Sequence, residues 1–151
     1  MTNTIVNIFI GVLITVIGGL VLSYFRRSRL KIYVHPNRRW LFDNLYSPDF
    51  SVKIVNIGLE KAEIDNFKIE FRKGSKILFV NEDILHKSLI TIEAKSSQTT
   101  TINCSTIYKK HPEYFKEYSV VRIVAITPSQ RVYKSDWIEL KNVIEKWDEV
   151  V

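Results

Sequence analysis

Residues 5–25 of this chain, "IVNIFIGVLITVIGGLVLSYF", carry no charged side chain, and no other feature restricts the fold so strongly. As a helix rising about 1.5 Å per residue, the segment reaches ~31 Å, close to the ~30 Å hydrocarbon layer of a bilayer. A secretory signal needs a basic n-region, a shorter apolar run and a small-x-small cleavage site. Here Met1-Thr2-Asn3-Thr4 precedes the run, and Tyr24, Phe25 and arginines follow it. A helix buried inside a small domain is rarely this long and free of charge. The segment therefore reads as an uncleaved single-pass transmembrane helix behind a short tail (1–4).

Charge sets the expected orientation. The chain has a net charge of +6, and residues 1–42 hold six basic side chains (Arg26, Arg27, Arg29, Lys31, Arg38, Arg39) and no acid. The remainder holds 16 basic and 16 acidic residues, so the excess sits beside the apolar segment. A nucleic-acid binder places its basic surface on the folded domain; this charge suits lipid head groups instead. Tyr24, Arg26, Arg27 and Arg29 are read as the membrane edge, 26–29 being a basic juxtamembrane segment. The positive-inside rule then predicts an inner (plasma) membrane protein with a cytoplasmic C-terminal domain. The single Cys104 agrees, since no intramolecular disulfide can form.

Every fourth residue of the helix is small or polar: Asn3, Asn7, Gly11, Thr15, Gly19 and Ser23. Such positions share nearly one face and let two helices approach closely. Asn7, Gly11, Thr15 and Gly19 are the expected helix interface. A second copy and a different membrane subunit are both compatible with it.

From Leu30 the periodicity changes to two. "LKIYVHP" reads as a strand ended by Pro36. "FSVKIVNIG", "NFKIEFRKG", "KILFV", "SLITIEA", "TTTINCS" and "YSVVRIVAI" follow, and "RVYKSDWIEL" returns as the hairpin partner of the last. Seven or so short strands spaced near ten residues imply a β-sandwich or barrel over 30–140. Residues 107–117 suit a short helix or a loop. "KNVIEKWDEVV" (141–151) places Val143, Ile144, Trp147, Val150 and Val151 at helical spacing, an amphipathic helix that covers the sandwich.

"VKIVNIGLEKAEIDNFKIEF" resembles the strand–turn–strand of bacterial immunoglobulin-like domains of the cell-adhesion-related (CARDB-like) kind, with Asn56, Gly58 and Ala62 at the matching positions. Gly58 can take a positive φ at the turn and Asn56 can bond the turn backbone. The resemblance implies a fold and no activity. The expected class is all-β: an immunoglobulin-like sandwich after one transmembrane helix, closed by a C-terminal helix.

No constellation for chemistry stands out. His35, His86 and His111 are isolated, and His35 and His111 precede prolines in expected turns. Metal-ligand spacing, a phosphate-binding loop and a nucleophile elbow are absent from the sequence. Cys104 on a strand is a packed thiol by default. Asp65, Glu82 and Asp83 read as solvated carboxylates. Trp40, Phe42, Tyr46 and Phe50, in a loop-like stretch beside Arg38 and Arg39, suit either the membrane interface or one end of the core. Tyr133 and Trp137 are expected on one face.

The expectation is a non-enzymatic scaffold without cofactor. Its partners would be membrane lipid, its own copies or another membrane protein through the helix, and a cytoplasmic protein through the sandwich. The alternative is a bilayer-perturbing effector of a bacterial defence-type system. An accessory domain to catalysis on another chain is a third possibility.

Overall fold

The structure, a computed structural model, describes residues 2–40, 46–80 and 89–148, with side chains at 6, 8–24, 26–37, 49–80 and 89–148. The apolar segment is helical as α1 (Thr2–Arg26). Among the described residues ten strands follow: β1 (Leu30–Trp40), β2 (Tyr46–Asn56), β3 (Ala62–Ile64), β4 (Asn66–Lys73), β5 (Lys76–Val80), β6 (Ile90–Ile92), β7 (Ser97–Asn103), β8 (Val120–Ile126), β9 (Val132–Lys134) and β10 (Ile138–Glu139). Two short helices, α2 (Ser105–Lys110) and α3 (Pro112–Glu117), precede β8, and α4 (Leu140–Asp148) ends the described chain.

The strands form a three-stranded sheet in the order β1-β2-β7, a five-stranded sheet β10-β8-β4-β5 with β9 also on β8, and a small β3-β6 pair. All pairings are antiparallel. Alternation decides which side chains point inward. Phe67, Ile69 and Phe71 of β4 oppose Ala125, Ile123 and Val121 of β8 and are buried with them. Ile32, Phe50, Val52, Ile54 and Ile102 of the three-stranded sheet join the same core.

Helices close one end of that core. Phe115 packs edge-on against Phe71 at 5.2 Å, and Trp147 meets Phe50 at 5.3 Å and Tyr108 at 5.8 Å. The Trp147 indole N–H donates to the Asp49 carbonyl at 3.2 Å. Leu140, Val143 and Trp147 are the buried face of α4. This is the covering role expected of the C-terminal segment, whose Val150 and Val151 lie outside the described residues.

Several expectations are corrected. The architecture is mixed α/β and not all-β: α2, α3 and α4 supply core side chains that the strands alone would need. The expected transmembrane span is overturned, because among the described residues no helix is long and apolar enough to cross a membrane. The single-pass inner-membrane localisation and cytoplasmic orientation depended on that span and fall with it. Strand β1 continues past Pro36 to Trp40, with Pro36 opposite Phe50. It is the edge of its sheet, where a missing N–H is tolerated. His35 is accordingly on a strand and not in a turn.

The junction between α1 and the domain is tightly specified. Asn56, fully buried, accepts from the Gly58 N–H at 3.0 Å and donates to the carbonyls of Glu60 at 2.7 Å and Ile92 at 3.2 Å. The expected bonding of the turn backbone by Asn56 is thus present. Gly58 differs from expectation. The one glycine with positive φ among the described residues is Gly74. A Cβ on Gly58 would sit 2.3 Å from the Arg27 carbonyl oxygen and 2.7 Å from the Arg29 nitrogen. Glycine is needed there because the chain leaving α1 crosses directly over it.

Candidate functional site

Two surfaces stand out, and neither is a catalytic pocket. The first is α1. From Val6 to Leu22 its described large apolar side chains are 48–71% exposed. Large apolar side chains stand exposed along the helix beside the small and polar stripe, and among the described residues no other part of the chain covers them. A helix of this kind belongs in an apolar surrounding. Gly11, Gly18 and Gly19 have open space where a Cβ would stand, so the small-residue stripe is free of intrachain contact at these positions. The Thr15 hydroxyl donates to the Gly11 carbonyl at 2.9 Å, which satisfies it within the helix. The side chain of Asn7 lies outside the described residues.

At the helix end, the Arg29 guanidinium lies 4.9 Å from the Tyr24 ring centroid. Arg26 and Arg27 are exposed. The Tyr133 hydroxyl donates to the Ser28 carbonyl at 3.1 Å and ties this segment to β9.

The second surface is the outer face of the five-stranded sheet. Glu70 on β4 is 1% exposed. It accepts from Arg122 Nε, directly opposite on β8, at 2.5 Å, and lies 3.4 Å from Lys134 Nζ. Trp137 lies over this network, with the guanidinium of Arg122 4.0 Å and that of Arg72 4.4 Å from its ring centroid. Phe79 and Ile77 of the edge strand β5 stand opposite Glu70 and Arg72 and are exposed. Tyr133 packs against the core, so Tyr133 and Trp137 occupy opposite faces, contrary to expectation. The irregular segment 135–137 breaks the alternation that would have aligned them.

The remaining candidates are structural. Cys104 is fully buried, and burial, with Asp49 nearby, pushes its thiol well above the ordinary range. That suppresses the nucleophilic thiolate. Among the described residues no group of three metal-ligating side chains occurs. His111 pairs with Glu113 at 3.0 Å and stacks on Tyr114, whereas His35 stands apart on β1. His86, Glu82, Asp83 and Phe42 lie outside the described residues, as do the side chains of Trp40 and Tyr46. Phe50 belongs to the core. A groove of about 600 Å³ between α3, β10 and α4 is lined by Phe115, Tyr118, Val120, Leu140 and Ile144 together with the polar Lys116, Ser119, Glu139, Lys141 and Glu145.

The geometry defines a β-rich mixed domain with an appended apolar helix and a cation-rich outer sheet face whose β5 edge exposes Phe79 and Ile77. No family model matches the chain, and no curated protein matches it. Solved structures similar to it include the Northeast Structural Genomics Consortium target SoR45, at 10% identity over 74% of this chain and 84% of that one, with a TM-score of 0.41. A second is the putative ApaA protein from Bordetella pertussis, at 10% identity over 72% and 88%, with a TM-score of 0.42. Likeness at this level carries no argument about fold family or activity, and the CARDB-like resemblance gains nothing from it.

Proposed function

We propose that this chain is a non-catalytic assembly protein: α1 joins it to a second copy or to a helix of another protein, and the β-rich domain binds a protein partner. One observation carries the reading. The helix exposes large apolar side chains from Val6 to Leu22, and among the described residues its own domain does not cover them. Burying such a side chain is worth roughly 1.5–3 kcal/mol, so a cover from outside the chain is strongly favoured. The open faces at Gly11 and Gly19 support a helix as that cover, because a neighbouring backbone can come close there. The bilayer-perturbing alternative depended on the transmembrane span and is not carried further.

The test is the mass of the full chain in mild detergent by light scattering, across a range of protein-to-detergent ratios. Assembly predicts a defined multiple of the 17.7 kDa protomer, or a defined complex when the chain is purified from its source cells. A monomer at every ratio, floating with phosphatidylcholine vesicles without any associated protein, would assign the cover to acyl chains and overturn the reading.

A further inference from the structure

We propose that the outer face of the five-stranded sheet docks an acidic segment of a protein partner, whose apolar side chains pack on Phe79 and Ile77 while its carboxylates meet Lys68, Arg72 and Lys134. The inference rests on the assembly reading above and names the kind of partner the domain takes.

The register assembles the surface. One row across the face runs Phe79, Glu70, Arg122; the next runs Ile77, Arg72, Val120; a third runs Lys68, Val124, Lys134. Trp137 lies over the middle of the face, where Glu70 is 1% and Val124 3% exposed, whereas Phe79 and Ile77 at the β5 edge are 57% and 48% exposed. An antiparallel sheet with one solvated face normally carries polar residues there. The other sheet has outward rows Lys31, Val55, Ser97, then Tyr33, Lys53, Thr99, then His35, Ser51, Thr101, which carry polar residues beside Val55 and the half-exposed Tyr33. Apolar side chains beside cations on an open edge strand are a liability unless a partner covers them.

Charge complementarity selects the occupant. Lys68, Arg72, Arg122 and Lys134 lie on the face, against Glu70 in its middle and Glu139 at its far end beside Val120. Glu70 anchors Arg122 and Lys134, and Trp137 holds the guanidiniums of Arg72 and Arg122. These cations are ordered before binding, which lowers the entropic cost of fixing them on a partner. Nucleic acid fits less well. Base stacking needs a free aromatic face, whereas guanidiniums already lie over Trp137.

The experiment titrates the full chain in detergent against a fluorescein-labelled peptide of alternating Glu and Leu, read by anisotropy. A peptide with Lys in place of Glu and an oligothymidylate are the comparison probes. The expected result is saturable binding of the Glu/Leu peptide, weakening with added salt, and no binding of the Lys/Leu peptide. The variant Lys68→Glu/Arg72→Glu is expected to bind roughly tenfold more weakly, with its thermal transition retained. Should that variant fail to fold, Phe79→Ser, a change at an exposed position, carries the same expectation of weaker binding. Unchanged affinity in the folded variants, equal binding of both peptides, or displacement by lower concentrations of oligothymidylate would overturn the proposal. The mass of the assembly is measured in the same samples. Assembly without peptide binding contradicts the docking face alone, and peptide binding by a monomer contradicts the role of α1 alone.

Discussion

Replacing Asn56 by alanine is expected to destabilise the domain by about 3 kcal/mol, because a buried side chain loses three well-formed hydrogen bonds at about 1 kcal/mol each. They are those to the Gly58 N–H and to the carbonyls of Glu60 and Ile92, at 3.0, 2.7 and 3.2 Å. Longer approaches to Glu93 O and from the Arg29 N–H, at 3.3 and 3.4 Å, are left out of the sum as marginal. For a domain of roughly 120 residues, 1 kcal/mol moves the midpoint by about 4 °C. The assay is thermal unfolding by far-ultraviolet circular dichroism, and the expected drop is about 12 °C. Asn56→Asp separates hydrogen bonding from packing. Its carboxylate keeps the acceptor but faces carbonyls, so its folded pKa is raised above the unfolded ~3.9. Stability of that variant is therefore retained below pH ~4 and lost as pH rises through the folded value. A shift below about 3 °C for Asn56→Ala, or a pH-independent Asn56→Asp, would refute the reasoning.

Glu70→Gln removes the carboxylate shared by Arg122 and Lys134 and is expected to cost about 2–4 kcal/mol, measured by urea unfolding. Gly58→Ala is expected to destabilise the fold and loosen the chain leaving α1, read as faster amide exchange at residues 27–29, because the Cβ would meet the Arg27 carbonyl oxygen. Native Cys104 is expected to resist thiol reagents until the domain unfolds. Its folded pKa is raised, so its contribution to stability is full below the unfolded value of about 8.5 and declines as pH rises beyond it. Cys104→Ala should flatten that alkaline slope.

Alternation made much of the fold legible in the sequence. The inward set Phe67, Ile69 and Phe71, the β8–β9 hairpin and the buried face of α4 follow directly from period two or period 3.6. Strand β1 beyond Pro36 was hidden because proline punctuates strands in general, and edge position is a property of the whole sheet. The short pair β3–β6 brings together segments about thirty residues apart, and no local pattern announces such a contact. The use of Gly58 was legible as a glycine but not as a crossing, since the clashing chain is Arg27 to Arg29. The candidate surfaces divide in the same way. The apolar helix is a local pattern, whereas the Glu70 network combines β4, β8 and β9, and Trp137 reaches it from the irregular link before β10. The β4–β8 register brings Arg72 and Arg122 onto one face, and the link before β10 lays Trp137 against both.

The central claim is that α1 is an assembly helix, and a substitution series in α1 tests it most directly. Among the described residues a Cβ at Gly11 or Gly19 meets nothing within 4 Å, so bulk there is not expected to clash within the protomer. Contacts between helices in an apolar medium are worth about 0.6–2 kcal/mol each, or roughly 3- to 30-fold in association. The measurement is the assembled fraction in detergent for Gly11→Ile and Gly19→Ile against Val12→Ile and Leu20→Ile. The account predicts weaker assembly for the two glycine variants, near-native assembly for the other two, and an unchanged thermal transition in all four. Equal assembly across the series would contradict a close helix contact at Gly11 and Gly19, and a monomeric wild-type chain would contradict assembly through α1 altogether.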